Sequence, residues 1–190
     1  RDFGTRLWTL VGASRPEIHH LIDTRCPIIG VEISDRYLRS PLTARLLFEA
    51  VRPLALGRRE PLPLVLRTMP VTGDHDSRGG RTVEHDWDHQ AHREAVMRIA
   101  GHGFNVRLAA EYCPRHELAH DRSLIVRWEA GAVRLQLDQG FGSWSARGQT
   151  RFDFGALPPQ QAEILTRMDV QVRNRSEHPC LLLVRDLMPE

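Results

Sequence analysis

Two short segments concentrate groups able to hold or transfer a phosphate. Ala119-His120-Asp121-Arg122 leads into the apolar stretch Ser123–Val126, and Asp35-Arg36-Tyr37-Leu38-Arg39 follows the β-branched run Pro27–Ile33. A histidine supplies a nucleophile or a general acid, and an arginine supplies a planar, permanently charged fork suited to phosphate. In an extended chain residues two apart project on one side, so His120 and Arg122 are expected on one face of a sheet. Gly142 and Ser143, in Gly140-Phe-Gly-Ser-Trp144, follow the next strand. A glycine turn there brings backbone N–H groups toward the same face. Arg36 and Arg39 are expected to join Arg122 in one anion site, with Asp35 bracing Arg122 from across the sheet. The plainer reading of the same residues is structural: His120 and Asp121 cap a strand, and Asp35 caps the next helix or pairs with a nearby arginine.

The overall composition removes several competing chemistries. The 190-residue chain carries 26 basic residues, all of them arginine, against 24 acidic ones, for a net charge of +2. Without lysine there is no Schiff base, no P-loop lysine and no kinase lysine. Phosphate binding through arginine survives that filter. A histidine cluster, His85, His89 and His92, sits among Asp86 and Asp88 at helical spacing and invites a metal reading. The aspartates, however, are expected at a helix N-terminus, where acids cap and complement the dipole. We therefore expect a solvated, pH-responsive helix face, with no metal and no cofactor. Three widely spaced cysteines, Cys26, Cys113 and Cys180, suggest a reducing, cytoplasmic setting rather than a disulfide framework. No apolar run approaches the roughly 18 residues of a membrane span.

The elements that position these groups alternate. Residues 1–24 read as a loop-like lead-in, or the tail of a preceding domain, before a domain over 25–190; the start at Arg1 suggests a piece of a longer protein. A strand over 27–33 precedes an amphipathic helix after Ser40-Pro41, which Pro53 ends or closely follows. A strand over 63–68, a loop over 70–83 and a helix over 86–100 come next. That helix presents Ala95, Val96 and Ile99 on one face, and Gly101 and Gly103 stop it. A strand that begins with Phe104–Leu108, a hairpin over 123–137, a helix over 158–168 and a strand over 179–184 complete an α/β layout.

In their order along the chain these features resemble a known family. Asp35-Arg-Tyr37-Leu-Arg39, the strand ending at Thr68, Gly101–Leu108, His120-Asp121-Arg122, the hairpin, Gly140–Trp144 and Arg151-Phe-Asp-Phe154 are similar to the phospholipase D-like domain that ends proteins carrying the microtubule-interacting and trafficking (MIT) module. The resemblance covers about residues 27–155. It implies a phospholipase D-like α/β fold with a mixed central sheet and helices on both faces, often a homodimer. It also implies that the ancestral active face binds acidic phospholipid without hydrolysing it. Active members of that superfamily use His-x-Lys and a downstream aspartate; this chain has His120-x-Arg122, with Arg127 at the aspartate position. A complete two-histidine site would need a second chain.

Three functions follow from this reading. The favoured one is a catalytically degenerate phosphate-binding module acting as a nucleic-acid-binding accessory domain of a larger host, such as a helicase or a prokaryotic defence component. The second is a peripheral membrane module reading acidic phospholipids, which lacks the polybasic run such modules use. The third is a dimeric phosphodiesterase using His120.

Overall fold

The computed structural model describes residues 3–14, 16, 19, 27–38, 40–71, 87, 89–120, 122–129, 131–137 and 182–187. Their elements are α1 (Phe3–Ser14), β1 (Ile28–Ser34), α2 (Pro41–Ala55), β2 (Leu62–Thr68), α3 (Gln90–Gly103), β3 (Val106–Tyr112), a 3-10 turn (Arg115–Glu117), β4 (Ser123–Trp128), β5 (Gly131–Leu137) and β6 (Leu182–Leu187). The six strands form one mixed sheet in the order β3-β2-β1-β4-β5-β6. β1, β2 and β3 run parallel, linked by α2 and α3, while β4, β5 and β6 add antiparallel on the other side of β1. The sheet therefore grows one way from β1 and then reverses, and α/β folds place ligands outside the carboxyl ends of strands at such a reversal.

One face of the sheet is the core. Val31, Ile33, Leu64, Leu66, Leu124, Val126, Val133 and Leu135 alternate inward and pack in a single cluster with Leu7 and Val11 of α1, Phe48 of α2 and Met97 of α3. The opposite face carries the ion pairs Arg127–Glu32 and Arg67–Glu111, each at 2.8 Å. No described helix covers it, so the expected helices on both faces are found, among the described residues, on one.

α2 occupies the centre of that layer. Leu46 through Val51 are all buried, so its middle turns are enclosed all round while Arg52 beyond them is exposed. Each of its large apolar side chains contributes about 1.5–3 kcal/mol by leaving water. Ser40 caps it, its Oγ accepting from Thr43 N at 3.1 Å, with Pro41 pre-set for the first turn. Pro53 lies inside the last turn. Lacking an N–H, it leaves the Glu49 carbonyl without its helical donor. α1 docks there: a Cβ on Gly4 would stand 1.9 Å from that carbonyl oxygen, and Trp8 Nε1 donates to Ala50 O at 2.8 Å. The loop-like start expected for the first residues is thus a helix, whose Phe3, Leu7, Trp8 and Val11 enter the common core.

α3 begins at Gln90, later than expected, because His89 caps it: the His89 Nδ1 accepts from His92 N at 3.0 Å. It runs through Gly101, whose missing side chain lets the helix approach the Val106 carbonyl, and turns at Asn105 with φ of 56°. Its buried stripe is His92, Arg93, Val96, Met97 and Gly101, rotated from the expected face. β3 starts at Val106, two residues after the expected Phe104, and β6 is shifted toward the C-terminus from 179–184. The expected loop over 70–83 lies largely, and the helix over 158–168 wholly, outside the described residues.

Candidate functional site

β1, β2, β3 and β5 end, and β4 begins, at a common edge of the sheet, set by the parallel and antiparallel registers. Asp35 and Arg36 leave β1 there, Thr68 and Met69 leave β2, Tyr112 and Cys113 leave β3, and Arg122 precedes β4. Adjacent strands lie about 4.8 Å apart, and Asp35 N donates to Arg67 O at 3.0 Å, so these residues are immediate neighbours.

The centre of the edge is a buried ion pair. Arg122 Nε lies 3.2 Å from Asp35 Oδ1, which also accepts from Tyr37 N at 2.9 Å. The Arg122 guanidinium stacks over the Tyr37 ring at 5.3 Å. Asp35 does not cap α2, because Ser40 does; it bridges to Arg122 across the strand reversal instead. Arg36 donates through Nη2 to the Leu118 carbonyl, and its Nε is buried without a partner.

His120 and Arg122 differ in burial. His120 is exposed on a bend before the strand, whereas Arg122 is only 5% exposed. β4 starts at Ser123, with the Arg122 carbonyl just before it accepting from Leu137 N at 2.7 Å. Arg39, Asp121, Gly142 and Ser143 lie outside the described residues. His85 does as well. His89 spends Nδ1 on its cap, and His92 is buried edge-on to Trp87 at 5.8 Å between ring centroids. Among the described residues no group of three or more His, Cys, Asp or Glu side chains could hold a metal ion.

The residue that sequence reasoning missed is Arg93. It is 1% exposed, at the first turn of α3. Its Nη2 donates to Met69 O at 2.8 Å and to Gln90 Oε1 at 2.9 Å, and its guanidinium lies 5.0 Å from the Tyr112 ring centre. Its Nε and Nη1 have no partner, and neither has the buried Thr68 Oγ1, one residue before Met69. Burial pulls the Arg93 pKa below the ordinary arginine value, and the Tyr112 phenol opposes that shift. A signal for it existed: Arg93 falls three and four residues before Val96 and Met97, on the buried stripe of the helix. An arginine there demands polar partners or a ligand.

A charge-bearing edge of this kind can bind an oxyanion, since arginine forks pair bidentately with phosphate oxygens. Among the described residues no helix is long and apolar enough to cross a membrane. No curated protein matches the chain. Residues 1–186 match the family described as the DEAD/DEAH box helicase YjiV, C-terminal domain. This match overturns the likeness to the phospholipase D-like domain of MIT proteins. That likeness rested on short motifs whose order follows from a common alternation of strands and helices. By a match across nearly its whole length, the chain belongs to the family of C-terminal domains of the DEAD/DEAH-box helicase YjiV.

Proposed function

We propose that this domain is a nucleic-acid-binding accessory of a helicase motor and contacts phosphodiester backbone through the strand-end edge. The observation that supports it is Arg93, a buried guanidinium at the strand ends whose Nε and Nη1 lack acceptors. An unsatisfied buried donor costs about 1–3 kcal/mol, a cost that a phosphate oxygen would remove where binding opens the cover over the 1% exposed Arg93. Arg36 and His120 are the outer contacts in this reading, and the Asp35-held Arg122 fixes the edge between them. The family of helicase domains makes a nucleic acid the natural source of such phosphates. Hydrolysis by His120 is not part of the proposal.

Salt dependence tests it. Fluorescence anisotropy of a labelled DNA duplex with a single-stranded tail, titrated with the 190-residue chain between about 50 and about 200 mM salt, should give a straight log–log plot of negative slope. Arg36→Ala and Arg93→Met should each make the slope shallower by about 1. Binding to phosphatidylserine vesicles with none to DNA would replace this reading with the acidic-phospholipid one. Binding to neither would end both.

A further inference from the structure

β3 forms one margin of the sheet and has no neighbour beyond it among the described residues. It pairs with β2 in unbroken register from Val106 to Tyr112, without bulge or proline. Arg107, Ala109, Ala110, Glu111 and Tyr112 are exposed. Sheet margins are ordinarily blunted by charges, proline, bulges or a covering element; this one has no proline or bulge, no covering element among the described residues, and two charges. These charges are placed symmetrically. Arg107 and Glu111 lie two residues either side of Ala109 and project from the same face.

We propose that β3 pairs antiparallel with β3 of a second copy of this chain about a twofold axis through Ala109. In that register Arg107 faces the partner's Glu111, and the reverse. Val106 faces the partner's Tyr112, Leu108 faces the partner's Ala110, and the two small Ala109 residues meet on the axis. Charge complementarity therefore selects a copy of the same strand, as an interface with twofold symmetry requires. Glu111 is already oriented by Arg67 at 2.8 Å on its own sheet, so it is held where the partner's Arg107 arrives. On the other face a groove of about 550 Å³ between α3 and β3, lined by Met97, Gly101, Val106, Leu108 and Ala110, flanks the same margin. The partner strand covers that apolar lining. The contact does not depend on the strand-end edge and stands or falls separately from the proposed function.

Sedimentation equilibrium of the 190-residue chain reads the association directly. The wild type should show a reversible monomer–dimer equilibrium. R107E and E111R should each weaken it about tenfold or more, because every substitution creates two like-charge contacts by symmetry. Mixed in equal amounts, the two variants should recover a dimer at least as tight as the wild type, since all four facing positions then carry opposite charges. A109K, which sets two ammonium groups on the axis at an exposed site, should also dissociate the dimer; at concentrations where the wild type is itself monomeric, the two should share one thermal unfolding midpoint. A wild type that stays monomeric at every concentration up to its solubility limit overturns the proposal. So does a dimer whose dissociation constant is the same in R107E, E111R, A109K and the mixture.

Discussion

Arg122 and Asp35 meet through Nε and Oδ1 at 3.2 Å, with side chains 6% and 5% exposed, and so fasten the start of β4 to the end of β1. These are the two strands between which the sheet changes its direction of growth. Removing the carboxylate leaves a nearly dry guanidinium without its counter-ion. Asp35→Ala should therefore cost about 3–5 kcal/mol, read as a lower midpoint in urea unfolding. Asp35→Asn, which keeps an acceptor for Tyr37 N, should cost less. Equal stability of wild type and Asp35→Ala would show that the pair does not hold this junction.

The seat of α1 on α2 gives a steric prediction. A methyl group on Gly4 would stand 1.9 Å from the Glu49 carbonyl and 2.8 Å from Pro53 Cδ. Gly4→Ala should lower stability by about 1–3 kcal/mol through overpacking. Gly103→Ala is the control, because nothing lies within 4 Å of its added carbon. Differential scanning calorimetry of the two should show a lowered midpoint for the first alone.

Burial pushes the Tyr112 phenol above its ordinary value of 10.0, an effect the neighbouring Arg93 charge opposes. The native state then holds the phenolic proton to higher pH than the unfolded chain does. This contribution to stability is complete below about pH 10 and is lost as pH rises through the native value. Unfolding free energy should fall along the alkaline limb, and Tyr112→Phe should flatten it. The difference in tyrosinate absorbance between wild type and Tyr112→Phe should titrate above pH 10 when folded and shift downward in denaturant.

Arg93 should trade stability against binding. Methionine of similar length removes the two nitrogens without acceptors while still filling the space under Tyr112. Arg93→Met should leave stability unchanged or raise it by about 1–4 kcal/mol, as apolar replacement of buried charge often does. The same variant should bind DNA more weakly. A variant that is destabilised and binds normally would assign Arg93 a purely structural role.

Local chemistry made much of the framework legible. Ser40-Pro41 announced a helix start, the β-branched run after Pro27 a strand, and the apolar runs either side of Glu129-Ala-Gly131 a hairpin; all three are present. These signals act over a few residues, where capping, propensity and alternation decide. The departures occur where distant groups compete. At the head of α3 the His89 imidazole, rather than the aspartates before it, bonds the His92 amide and moves the helix start. In α1 a stripe of Phe3, Leu7, Trp8 and Val11 is helical because α2 offers it a surface.

From residues alone the chain was readable as an α/β protein with arginine as its sole anion fork, because composition and periodicity need no partner to act. The spatial order of the strands was not readable, since it depends on pairings between residues as far apart as Glu32 and Arg127. Asp35 was expected to brace Arg122, and it does at 3.2 Å; tertiary structure alone decided that Arg93 becomes the dehydrated charge at the strand ends. Burial is a property of what packs on a residue, and that is set by the whole chain folding at once.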